Sequence, residues 1–131
     1  MRIVKTRPPS FPEVPPDRPL DVSRGVRWQE VCGDKGRWRV GIYSPGESRP
    51  GEVTQLERHD CPELFLLVEG RLTLVLAREG ELIELPLEPL RPVLVTAPHG
   101  AYCPGGPHTG VALVVERDAF DTELRPATEW R

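Results

Sequence analysis

The stretch GEVTQLERHDCPELFLLVEG, residues 51–70, decides how the rest of the chain is read. Glu57 and His59 stand two positions apart, and in an extended strand such residues project from the same face. Asp60, Cys61 and Pro62 then bend the chain, because proline has no N–H to give to a ladder and is confined to edges and bulges. Glu63 follows at the head of the apolar run ELFLLV and can join the other two in one cavity. One imidazole and two carboxylates beside a buried strand are metal-ligand chemistry; without a cation, the two carboxylates repel and one of them holds a proton.

The flanking sequence has the texture of strands. GVRWQEV and GRWRVGIY precede the stretch, separated by the turn signal CGDKG, and RLTLVLA, ELIELPL, PVLVTA and GVALVVE follow it. Short runs rich in Val, Ile and Leu and bounded by Gly and Pro read as strands. The pairs Glu69-Gly70 and Glu79-Gly80 sit at hairpin spacing and predict a meander through the middle of the chain. About eight short strands with almost no helical periodicity predict an all-β jelly roll. Trp28 and Trp38 read as core or rim aromatics.

The order Gly51, five residues, Glu57, one residue, His59, three residues, Glu63, six residues, Gly70 resembles the first signature of the cupin superfamily, which has His where this chain has Glu57. The second signature is matched in part. Pro98 and Gly100 hold their places, Cys103 falls at the histidine position, and Pro92 and Pro107 replace the usual Gly and Asn. The resemblance covers residues 40–116 and implies a double-stranded β-helix barrel holding a divalent metal on Glu57, His59, Glu63 and Cys103. The family's usual three imidazoles and one carboxylate leave one net positive charge with a divalent ion. Two carboxylates, a thiolate and one imidazole leave one net negative charge, which binds a cation firmly but weakens it as a Lewis acid. The thiolate points to zinc or iron. His108, in the loop YCPGGPHTG, is an alternative to Cys103, and His99 is expected to face solvent. No nucleotide or organic cofactor is implied.

The whole chain sets the bounds. Its 131 residues suffice for one domain with its own core. A net charge of -3 and a pI near 5.6 give no basic field for nucleic acid. No stretch has the apolar length of a signal peptide or the roughly 20 apolar residues of a membrane span, so a cytoplasmic protein is expected. Cys32, Cys61 and Cys103 are odd in number and widely spaced, which fits reduced thiols.

Residues 1–22 form a proline-rich arm, 23–117 the barrel, and 118–131 a tail that packs on it. The arm is either free or laid across a neighbouring subunit through Ile3, Val4 and Phe11, and the tail is expected to hold a helical turn from Asp118 to Leu124. If Glu63 points inward, so do Phe65 and Leu67, which leaves Leu64, Leu66 and Val68 facing out. An apolar outer face needs a cover, and a homodimer packed sheet to sheet supplies one. Two functions fit: a metal-dependent enzyme acting on a small molecule by oxygenase or isomerase-type chemistry, or a non-enzymatic binding or sensing module built on the same cavity.

Overall fold

The two halves of the 51–70 stretch form strands β4 (Gln55–His59) and β5 (Glu63–Glu69), and they lie in different sheets. The computed structural model describes residues 1–130, with eleven strands and two short 3-10 turns. The six-stranded sheet runs β1 (Arg2–Thr6), β11 (Phe120–Pro126), β4, β9 (His99–Tyr102), β6 (Thr73–Arg78), β7 (Glu81–Pro86). The five-stranded sheet runs β2 (Trp28–Asp34), β3 (Trp38–Tyr43), β10 (Val111–Arg117), β5, β8 (Val93–Val95). All strand pairs are antiparallel, as expected of a jelly roll.

Alternation puts Glu63, Phe65 and Leu67 inside and leaves Val68 58% exposed. Phe65, Leu72, Leu74, Leu76, Ala112 and Val114 fill the space between the sheets. Each fully buried leucine contributes about 2 kcal/mol relative to exposure. β6 is buried on both sides: Val75 and Ala77 face outward into a second cluster with Leu56, Tyr102 and Ala127. The 3-10 turn Ala127–Trp130 covers that cluster, with the Trp130 indole N–H donating to the Leu56 carbonyl at 3.4 Å.

Several connections differ from the sequence reading. Glu79 and Gly80 have φ of 51° and 79° and close a two-residue hairpin between Arg78 and Glu81, as their spacing predicts. Gly70 makes no hairpin, because β5 and β6 belong to opposite sheets; it is a crossover in which a Cβ would lie 2.1 Å from the Thr109 carbonyl oxygen. The tail holds strand β11 where a helical turn was expected. A helix of that length is marginal alone, whereas the strand gains ladders to β1 and β4 on its two sides. The arm begins with β1 and then crosses toward the other sheet, where the Ser10 backbone N–H and hydroxyl donate to Asp118 at 2.7 and 2.6 Å. The Phe11 ring rests on Gly33, where a Cβ would meet it at 2.6 Å. The arm is therefore laid along its own chain, with Ile3 48% exposed.

Candidate metal centre

The bend at Asp60–Pro62 carries the backbone from one sheet to the other, so His59 and Glu63 face each other across the barrel instead of lying along one strand. The His59 Nε2 to Glu63 Oε1 distance is 3.0 Å. β9 lies beside β4 with Glu57 opposite His99, which brings His99 Nε2 to 2.6 Å from the same Glu63 oxygen. Glu57 Oε1 lies 3.4 Å from His59 Nε2 and 3.8 Å from His99 Nε2. Ligand atoms of Glu57, His59, Glu63 and His99 thus all lie within 4.8 Å of one another.

The second nitrogen of each ring is already committed. His99 Nδ1 is 2.9 Å from the Ala97 carbonyl, to which it must donate, so in the neutral ring Nε2 carries a bare lone pair. His59 Nδ1 pairs with the Thr122 hydroxyl at 2.7 Å. Both Nε2 atoms crowd Glu63 Oε1, yet that buried oxygen has no partner in hydrogen-bond geometry. Atoms that approach this closely without pointing at one another are arranged around a shared centre, and outer bonds that lock imidazole orientation are usual for metal ligands. Two neutral imidazoles and two carboxylates would balance a divalent cation, so the donor set fits such an ion.

Without an ion, the same carboxylates favour protonated rings. Burial opposes the charged form of His59, but the carboxylates of Glu57 and Glu63 outweigh it and raise its pKa to about 10. His99 is raised against the same burial penalty by Glu63. Burial pushes Glu63 up, and the two imidazoles overcome it and bring the carboxyl down to about 2. Glu63, expected to be a carboxyl that repulsion could keep protonated, is lowered instead, and the carboxyl that rises is Glu116, to about 7, through burial and the nearby Glu63 charge, with Arg39 opposing.

Cys103 stands apart from the cluster. It is fully buried, its sulfur receives the Gly110 N–H at 3.3 Å, and it faces the Pro45 carbonyl at 3.4 Å. β9 ends at Tyr102, and the Cys103 amide turns away to bond the Glu47 carbonyl. His108 is likewise elsewhere, its Nδ1 2.7 Å from the Ser44 carbonyl. The fourth member is His99, which is buried at 6% exposure and not solvent-facing. His99 and Ala101 share a face of β9 by simple alternation, and the buried side of Ala101 was the signal that could have found it.

The cluster opens on a cavity of about 580 Å³ between the sheets. Trp28, Phe65 and Phe120 form apolar walls, and Tyr43 and Glu116 also line it. Gly41 lets the Trp28 ring lie flat on β3, since a Cβ there would fall 2.0 Å from it. Arg39 is sandwiched between Trp28 and Phe120, 5.3 and 5.1 Å from the ring centroids, and reaches Glu116 at 3.3 Å. Burial raises the Tyr43 hydroxyl pKa, which keeps it a hydrogen-bond donor.

No family model matches the chain, and no curated protein matches it. Solved structures do. A cupin 2 domain-containing protein from Halorhodospira halophila matches at 19% identity and TM-score 0.50, covering 96% of this chain and 82% of that one. An RmlC-like cupin from Methanocaldococcus jannaschii with a double-stranded β-helix matches at 12% identity and TM-score 0.52, covering 79% and 93%.

This chain has the cupin fold.

Hydroxypropylphosphonic acid epoxidase from S. wedmorenis, whose structures include an iron(II) form, is a further neighbour of this chain. It matches at 18% identity and TM-score 0.53, with 82% of this chain covering 57% of that one.

Glu116 yields a pH prediction. Its folded pKa of about 7 lies above the ordinary 4.5, so ionising it disfavours the fold. That penalty is absent below about pH 4.5 and complete once pH has risen through about 7. In chelator-treated protein, Glu116→Gln should match the parent near pH 4 and exceed it at pH 8 by on the order of 2 kcal/mol in urea denaturation. Parallel pH profiles for the two proteins would remove this account of Glu116.

Proposed function

We propose that this cupin is a metal-dependent enzyme acting on a small molecule held in the barrel cavity, with His59, Glu63, His99 and Glu57 as the ligands of a divalent transition metal. The observation that carries the reading is the buried Glu63 Oε1, crowded by two Nε2 atoms and without a hydrogen-bond partner, at the wall of a cavity. Two histidines and one carboxylate on one side of a site that opens to a cavity favour iron(II), with zinc the next choice. Such an ion supplies a Lewis acid and a binding position for an oxygen-donor substrate or dioxygen.

The chain's own residues do the rest. The aromatic walls bind an apolar body and exclude water, the Tyr43 hydroxyl donates to a substrate oxygen, and the Arg39–Glu116 pair presents a fixed dipole beside the ligands. Purification without chelator followed by metal analysis tests the reading. Stoichiometric iron, with dioxygen or substrate perturbing its spectrum, is the expected result. A chain that neither retains nor takes up a divalent metal overturns it, and a fully coordinated zinc that no ligand perturbs favours a structural or sensing role.

The five-stranded sheet supports a homodimer. Leu64 pairs with Leu94 and Val115, and Leu66 with Leu113, all on the outer face, where Leu94 is 65% exposed. The patch carries no charge to repel a second copy, and an isologous contact sets it against itself. Gel filtration should give a dimer at micromolar concentration, and Leu66→Lys with Leu94→Lys should give a monomer, since the two-fold axis places like charges together. A parent that elutes as a monomer removes the dimer.

A further inference from the structure

The four ligands are not held alike. Glu63, His59 and His99 have side chains only 5%, 7% and 7% exposed, and a further bond locks each imidazole. The Glu57 side chain is 42% exposed and lies farther out, 3.4 and 3.8 Å from the two imidazoles against 3.0 and 2.6 Å for Glu63. Its carboxylate is not enclosed as that of Glu63 is, and it lines the cavity together with Arg27. Three donors are thus buried, two of them with locked rings, and the fourth is the exposed one beside the space where a substrate would sit.

We propose that Glu57 is a displaceable ligand, which occupies the cavity-facing position of the metal in the resting protein and yields it to an incoming anionic donor. The proposal rests on the metal-centre reading and deepens it by naming the ligand class. A carboxylate can move off an ion by rotation of a flexible side chain, whereas an imidazole locked through its second nitrogen cannot. The entrant must be an anion, because only a charge like that of the departing carboxylate competes with it for a divalent ion at comparable strength. The position at which this chain departs from the family's first signature is then the position where its ligand binds.

Competition has a measurable signature. If Glu57 covers the position about nine-tenths of the time, an external anion binds with an apparent dissociation constant about tenfold above its intrinsic value, and removing Glu57 restores the intrinsic one. The test loads the full-length parent, Glu57→Ala, Glu57→Gln and Glu63→Ala with cobalt(II) and titrates azide, reading the visible ligand-field absorption. Both Glu57 variants should keep stoichiometric cobalt and bind azide about tenfold more tightly than the parent, while Glu63→Ala should fail to take up cobalt. Equal azide affinity in parent and Glu57 variants, or loss of cobalt from both of them, overturns the proposal and leaves the metal centre standing. A parent that takes up no cobalt removes the centre itself and the displaceable ligand with it.

Discussion

Replacing Glu63 by glutamine should abolish divalent-metal uptake, with affinity falling by more than the roughly 100-fold that loss of an outer-shell partner can cost. Glu63 is the one carboxylate that touches both imidazoles, at 3.0 and 2.6 Å, and it is buried at 4% exposure. An amide oxygen can occupy the same volume but carries no charge. The same substitution should destabilise chelator-treated protein, because it removes the counter-charge from two buried rings.

The sign of that second effect is set by the histidines. His59 has a folded pKa of about 10 against an ordinary 6.5, so the stability it confers is fully present below 6.5 and is lost as pH rises through about 10. The Glu63→Gln deficit should therefore be largest near pH 6, on the order of 3 kcal/mol, and shrink toward pH 10. Glu63 itself, lowered to about 2, confers stability above its ordinary 4.5 that disappears as pH falls through about 2. Isothermal titration with zinc reads the first effect and urea denaturation at several pH values reads the second. Retained zinc affinity would dismiss Glu63 as a ligand, and a pH-independent deficit would dismiss the ion-pair account.

The sequence made three of the four clustered side chains legible because their geometry is local. A two-residue step along β4 sets Glu57 beside His59, and a proline bend fixes where Glu63 enters. The fourth required knowing where β9 stops. The spacing of the second cupin signature from Pro98 and Gly100 points to Cys103, one residue past the end of the strand, while His99 lies inside it on the inward face with Ala101. Glu116 was hidden in the apolar run GVALVVE, although it has the same parity as the buried Ala112 and Val114. β1 and β11 were illegible for another reason. β1 is made a strand by its ladder to β11, and β11 by its ladders to β1 and β4, contacts between distant parts of the chain that no local pattern announces.

Removing the Asp118 carboxylate should cost more than most core truncations and should free the arm. Asp118 sits in the β10–β11 turn with no exposed surface, and it accepts from the Ser10 N–H at 2.7 Å, the Ser10 hydroxyl at 2.6 Å and the Gly36 N–H at 2.7 Å. Buried donors left without an acceptor cost about 1–3 kcal/mol each where water cannot replace it, so Asp118→Ala should lose roughly 3–4 kcal/mol. Asp118→Asn keeps the oxygen that faces Ser10 but turns a donor toward Gly36, and should lose about half as much. The site feels this because the Ser10 carbonyl accepts from Arg39, whose other terminal nitrogen reaches Glu116 in the cavity wall. Limited trypsin digestion at Lys5 should accelerate in Asp118→Ala well before global unfolding, since β1 is an edge strand paired only with β11. If cleavage at Lys5 instead tracks the urea midpoint across the parent and both variants, the carboxylate is a general core contact, and the arm has no separate attachment to the barrel.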